Sequence, residues 1–247
     1  MRILKAGIHS GEEALVQGNE RAGMVVFSGC HLSCRFCYTP ETSRTFQGTD
    51  YTPEAFSEIL VRLLALGARN INLISPTHVW NEIEPVLRAF KEGPGKEIPL
   101  ILKFSGFEPA RLIQRFAEVA DVLVPDFKVA SPEVARTEGL PASYGEVAAR
   151  ALAEMLRTHA ATAMEGGRMR RGIIVRHLLM PGYSDDSARV LELLHAAGYR
   201  GYLNLMTCFL CPTRGLVRAA GESVRALAQT SIDFGMQPMV DAQRWVA

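Results

Sequence analysis

The chain has 247 residues, 48% of them hydrophobic and 21% charged, with a net charge of +1. That length can bury a full-sized core, and so even a charge supplies no field to draw the protein to nucleic acid or an anionic membrane. No apolar run reaches membrane-spanning length, and the opening MRILKAGIHSGEE lacks the apolar stretch of a secretory signal, so the expectation is a cytoplasmic protein.

Short apolar runs alternate with helical patterns along the chain. MVVFS (24–28) predicts a first strand. Behind Thr52-Pro53, apolar residues at Phe56, Ile59, Leu60, Leu63 and Leu64 predict a helix, with Thr52 as N-cap and Gly67 as its stop. NINLI (70–74) is the next strand. Ile83, Val86, Leu87 and Phe90 mark a helix that ends before Gly93-Pro94. PLILK (99–103) is a strand, and Leu112, Ile113, Phe116 and Val119 mark another helix. DVLVP (121–125) is followed by a helix from about Tyr144 to His159. GIIVRHLL (172–179) leads to a helix capped by Ser184 or Asp185 and stopped at Gly198. YLNLM (202–206) and a last helix through Val224, Leu227, Ala228 and Ile232 complete the series.

Six such alternations imply parallel strands with helical crossovers. The expected architecture is α/β, a partial (β/α)6-type TIM barrel. Residues 24–210 form its core, 1–23 an N-terminal extension and 211–247 a C-terminal helix and tail, all in one domain. The unusual residues fall at strand ends: Cys30 after the first strand, Ser75-Pro76-Thr77-His78 after the second, Ser105-Gly106-Phe107-Glu108 after the third. Asp126-Phe127-Lys128 follows the fourth, Met180-Pro181-Gly182 the fifth, Cys208-Phe209-Leu210-Cys211 the sixth. In a parallel array these ends share one rim, where such folds build active sites.

FSGCHLSCRFCYTP (27–40) holds three of the five cysteines, Cys30, Cys34 and Cys37, spaced C-x3-C-x2-C. With no export signal and an odd count, a disulfide framework is disfavoured. Three thiolates can ligate three irons of a [4Fe–4S] cluster and leave the fourth iron open. The other reading is zinc, with His31 or His9 as fourth ligand.

C-x3-C-x-F-C after a first strand resembles the radical S-adenosylmethionine (SAM) superfamily. FSGCHLSCRFC, INLISPTHV, the SGFE segment, LVPDFKV and IVRHLLMPGYSDDS are similar, in order, to pyruvate formate-lyase activating enzymes and their homologues. The resemblance implies a radical SAM core and two cofactors, a [4Fe–4S] cluster on Cys30, Cys34 and Cys37, and SAM chelated to the open iron. Reductive cleavage of SAM would give a 5′-deoxyadenosyl radical that abstracts hydrogen from a substrate. It further implies a flavodoxin or ferredoxin as electron donor. The substrate would be a glycyl-radical enzyme, another protein, a peptide or a small molecule.

The resemblance also assigns residues. Phe36 would lie by the adenine, and Lys128 of Asp126-x-Lys128 would meet the SAM carboxylate. Arg176 would face the SAM pocket with Leu178, leaving His177 packed on the opposite face. Ser75-Pro76-Thr77 stands where the family carries G-G-E, so the Ser75 and Thr77 hydroxyls would hold the SAM ammonium. Lys103-Phe104-Ser105 lacks the aspartate that helps relatives bind a monovalent cation; Ser105 remains beside SAM, and the Lys103 ammonium would stand in for that cation next to Asp126.

Cys208 and Cys211 are open to several readings: a hydrogen-donating thiol, a redox dithiol, ligands to a further metal, or two buried thiols. Arg168-Met169-Arg170-Arg171 is expected as a solvated basic loop at the far rim, and Glu12-Glu13 as a helix start or surface patch. The competing class of function is an iron–sulfur or zinc protein that transfers electrons or cycles its dithiol without SAM chemistry.

Overall fold

The computed structural model describes residues 1–10, 13–17, 21–45, 47–211 and 214–241. Its strands are β1 (Arg2–His9), β2 (Ala22–Phe27), β3 (Thr49–Asp50), β4 (Asn70–Ile74), β5 (Leu100–Phe104) and β6 (Val122–Pro125). They continue with β7 (Ala163–Glu165), β8 (Arg168–Leu178), β9 (Tyr202–Met206), β10 (Cys208–Cys211), β11 (Gly215–Arg218) and β12 (Gln237–Asp241). The helices are α1 (Ala14–Gln17), α2 (Pro40–Thr45), α3 (Pro53–Ala65), α4 (Trp80–Glu92), α5 (Ala110–Ala117), α6 (Pro132–Thr137), α7 (Tyr144–His159), α8 (Ser184–Ala196) and α9 (Gly221–Asp233).

The main sheet runs β12-β9-β8-β6-β5-β4-β2-β1-β3. From β2 to β12 every pairing is parallel, the α/β arrangement expected of a partial barrel. The sheet does not close on itself; β12 and β3 are its edges. Residues 1–23 are more than an extension. β1 pairs antiparallel with β2, and β3 pairs with β1. The C-terminal segment adds β12 beside β9, a strand outside the six expected. Its Pro238 is tolerated because the strand is an edge.

Alternation along the strands separates two apolar regions. Leu100, Leu102, Leu123, Ile173, Val175, Leu203 and Leu205 join the large core under the helices. Ile101, Val122, Val124 and Ile174 form a smaller inner cluster with Met169 and with Val16 of α1. The inner side is thus filled from below by the N-terminal segment, which Asn70 ties down by donating from Nδ2 to the Val16 carbonyl at 2.9 Å.

Local signals place the ends. Thr52 caps α3 by accepting from the Ala55 amide at 3.3 Å, with Pro53 in the first turn. For α8 the expected cap is wrong. Ser184 is already helical, the N-cap position falls on Tyr183, and no side chain caps the helix; Asp186 in the first turn instead accepts from the Ala130 and Ser131 amides at 2.9 and 2.7 Å and so ties α8 to the segment before α6. The basic run Arg168–Arg171 is a strand rather than a loop: it pairs with β7, and Met169 is buried. Among the described residues no helix is long and apolar enough to cross a membrane.

Candidate active site: a well at the strand ends

A cavity of roughly 150 Å³ opens where β2, β4, β5, β6, β8 and β9 end. Cys30, Cys34 and Cys37 line one side, Lys103, Asp126, Lys128 and Arg176 the floor, and Ser75, Thr77 and Ser105 another wall. Phe36, Tyr38, Leu178 and Met206 supply apolar lining. Cofactor and binding residues named from sequence therefore meet in one place; Cys208 and Cys211 are not among the lining residues.

The cysteine loop is built by its neighbours. The Arg35 amide donates to the Glu138 carbonyl at 2.9 Å, and Arg44 of α2 donates to the Cys34 carbonyl at 2.9 Å. Leu32, Cys34 and Phe36 turn into the core. Burial pushes the Cys30 thiol up, and the Cys34 thiol up to about 11, so loading a metal here must release protons. Of the two histidines considered for zinc, one has a ring nitrogen engaged and the other lies away from the cysteines. The His31 Nε2 lies 3.0 Å from Ser105 Oγ, and His9 pairs with Ala22 at the start of β2, the end opposite the cysteines. Among the described residues, no three His, Cys, Asp or Glu side chains converge on a single-ion position. Three thiols spread around one cavity suit a multi-iron cluster.

Asp126 is held from both sides. Lys128 Nζ donates to Oδ2 at 2.5 Å and Arg176 Nε to Oδ1 at 2.8 Å. Burial favours the neutral acid, but the two cations outweigh it and hold the carboxyl below its usual range. Burial disfavours the charged forms of Lys128 and Arg176, and the Asp126 carboxylate more than offsets it. Lys128 also sits 6.0 Å from the Phe36 ring centroid, within cation–π range. His177 packs on the other face of β8, with Nδ1 2.7 Å from the Phe127 carbonyl.

The positive charge expected of Lys103 beside Asp126 is supplied in the structure by other residues. Lys103 is ion-paired with Glu13, and Arg176 and Lys128 are the cations that flank Asp126. Glu13 heads α1 as one of its two expected readings had it, its carbonyl accepting from the Gln17 amide at 3.1 Å, but it is no surface patch: it is 1% exposed and also lies 3.4 Å from Arg176. Burial would raise its pKa, yet Lys103 and Arg176 bring it down to about 2. Its neighbour Glu12 lies outside the described residues. Among the described residues, two carboxylates and three cations share the floor, and ammonium and guanidinium groups there are donors that suit a carboxylate ligand.

Three features of the wall were missed from sequence. Ser75 adopts φ +57°, the left-handed conformation glycine favours, and its amide donates to the Lys103 carbonyl at 2.9 Å. Tyr144 is fully buried; its hydroxyl donates to the Ser105 carbonyl at 2.6 Å, with the Asp126 carbonyl 3.0 Å away sharing that one hydrogen, and accepts from the Lys128 amide at 3.1 Å. It thereby staples the ends of β5 and β6 beside Gly106, where a Cβ would lie 2.0 Å from the Asp126 carbonyl oxygen. Glu108, also buried, accepts on Oε1 from Thr77 at 2.9 Å and Ser105 at 2.8 Å. Burial lifts its pKa to about 7.

Cys208 and Cys211 lie on β10, paired antiparallel with β11. Three residues apart on a strand, they face opposite sides with Cα atoms about 10 Å apart. That exceeds the roughly 7 Å reach of a disulfide, so this conformation does not present a ready dithiol. Cys211 is buried in the core, its Sγ 3.9 Å from the Arg35 carbonyl under the cysteine loop.

A half-open parallel sheet with a three-cysteine well at its strand ends defines a cofactor-loaded enzyme of the barrel class. The chain belongs to the radical SAM superfamily, whose profile matches residues 24–194. Members use a [4Fe–4S] cluster and SAM, and the residues of the well fit both. Among solved structures, the fold is similar to a radical SAM methyltransferase from Sphaerobacter thermophilus (18% identity, TM-score 0.67, covering 91% of this chain and 67% of that one). It is also similar to Streptococcus suis SuiB bound to S-adenosylmethionine (10%, 0.61, 89% and 50%). A third likeness is to a domain of a pyruvate-formate lyase-activating enzyme from Bacteroides vulgatus (13%, 0.51, 68% and 94%). The chain spans about half the length of the SuiB chain. No curated protein matches.

Proposed function

We propose that this chain is an oxidoreductase of the activating-enzyme type, which uses SAM to abstract hydrogen from a substrate, with a glycyl-radical enzyme as the leading substrate class. The observation that carries the reading is the well itself, where three thiols, a carboxylate-binding floor and a wall of hydroxyls meet under one mouth. Cys30, Cys34 and Cys37 would hold the cluster; Lys128 and Arg176 would take the SAM carboxylate; Thr77 and Ser75 would accept from the ammonium; Phe36 and Leu178 would line the adenosine. When bound, the reduced cluster supplies an electron to the sulfonium of SAM, giving methionine and a 5′-deoxyadenosyl radical.

The chain's own task is to orient and shield. Asp126 fixes the two cations so that a carboxylate meets a preorganised pair, and Leu178, Met206 and Phe36 keep water from the reacting carbon. The electron donor, a flavodoxin or ferredoxin, must reach the cysteine loop. The basic run at the start of β8 is about 23 Å away along the strand, at the wrong end for that role.

The test is anaerobic reconstitution with iron and sulfide, reduction, and addition of SAM. The expected results are a [4Fe–4S] signal perturbed by SAM and release of 5′-deoxyadenosine, both lost in Cys34→Ala. With deuterium at a substrate glycine, label should appear in 5′-deoxyadenosine. A cluster that never cleaves SAM would favour the electron-transfer reading instead.

A further inference from the structure

We infer that Glu108 is a positioning residue that makes the Thr77 hydroxyl an obligate acceptor for the SAM ammonium; the inference rests on the SAM-binding reading proposed above.

A hydroxyl carries one hydrogen and two lone pairs, so its partners decide which face it shows a ligand. Thr77 Oγ1 gives its hydrogen to Glu108 Oε1, and no other partner takes its lone pairs among the described residues. Thr77 lines the cavity, so what it presents there is two acceptor sites. Ser105 gives its hydrogen to the same oxygen, but its lone pairs are occupied. The Phe107 amide donates to Oγ at 3.1 Å and His31 Nε2 lies at 3.0 Å. With the Ser105 hydrogen on Glu108, that His31 nitrogen is the donor. Ser105 is therefore scaffold, and Thr77 is the group left for a ligand.

The placement suits an amino acid end. Lys128, Arg176 and Thr77 line the same cavity, so a zwitterion with its carboxylate on the two cations would have the Thr77 hydroxyl in the same space for its ammonium. The orientation does not depend on the charge of Glu108. Its Oε2 is buried without a partner and is the atom that carries the proton in the neutral form, leaving Oε1 an acceptor in either state. An amide in the same shape would serve as well.

The experiment measures equilibrium binding of SAM, and of an analogue lacking the α-ammonium, to the cluster-loaded protein. Thr77→Val and Glu108→Leu should each weaken SAM by about tenfold, the worth of one hydrogen bond to a charged group, with the analogue's affinity unchanged and iron and sulfide content at the wild-type level. Glu108→Gln should restore SAM affinity to within about threefold, because the amide oxygen accepts the same two hydrogen bonds. Equal weakening of SAM and analogue, no weakening of SAM by Thr77→Val, or a Gln variant as impaired as the Leu variant would overturn the inference. A wild-type protein that binds neither ligand would instead overturn the SAM-binding reading.

Discussion

Arg176 and Asp126 meet across two neighbouring strands with both side chains and backbones engaged. The guanidinium reaches Asp126 Oδ1 from Nε at 2.8 Å and from Nη2 at 2.7 Å, while the Phe127 amide donates to the Arg176 carbonyl at 2.7 Å. The pairing that joins β6 to β8 thus also sets the charged floor. Asp126→Asn should leave buried Lys128 without its carboxylate and Arg176 with only the more distant Glu13, and cost about 3 kcal/mol. Urea denaturation of the metal-free protein checks this, and an unchanged midpoint would count against it.

Glu13 is the deeper of the two acids. Glu13→Gln removes a buried carboxylate that faces both Lys103, 4% exposed, and Arg176, and should cost about 3–5 kcal/mol. The exposed Glu97→Gln serves as control and should shift stability by less than about 0.5 kcal/mol. Equal midpoints for the two variants would mean that the N-terminal segment does not hold its buried place in solution.

Ser75 tests the strained turn. A glycine should be accommodated at φ +57° and stabilise by up to about 1 kcal/mol, whereas Ser75→Val should destabilise by about 1–2 kcal/mol. Paired thermal melts of the two variants decide it; the reverse order would place this residue in ordinary backbone space.

Glu108 sets a pH dependence with a definite sign. Its folded pKa, about 7, lies above the ordinary 4.5. Its contribution is thus fully present below about pH 4.5 and lost as pH rises to about 7, by on the order of 3 kcal/mol. Stability against pH for wild type minus Glu108→Gln should fall across that window. A flat difference curve would show that the carboxyl titrates normally.

The hairpin makes a redox prediction. Under mild oxidant, Cys208 and Cys211 should not form a disulfide with each other, since β10 holds them about 10 Å apart on opposite faces. Peptide mapping without reductant reads this directly; a Cys208–Cys211 bridge would show that the hairpin opens readily.

What sequence reveals here is whatever repeats or clusters locally. Six strands, their helices and the three-cysteine loop carry period or spacing signals, and Asp126 and Lys128 sit two residues apart. Glu13 gives no such signal, because its partners lie 90 and 163 residues away and a lone acid near a chain start reads as surface. Tyr144 looks like the first residue of a helix, although its hydroxyl binds groups on two strand ends 16 and 39 residues away. Register alone brings Lys103 to the well, while only the fold brings Glu13 to meet it. β12 carries a proline, which masks a strand in pattern reading yet is harmless on an edge.

The apolar cluster around Val16 has a kinetic consequence. It packs the inner side of β5, β6 and β8, the strands whose far ends line the well, and with that side filled, reactants and products would share the rim where the cysteine loop sits. Occupancy is then a queue in which the deepest guest enters first and departs last. Turnover should be strictly ordered, with SAM ahead of substrate, and excess substrate should slow the reaction at low SAM by sealing the entrance early.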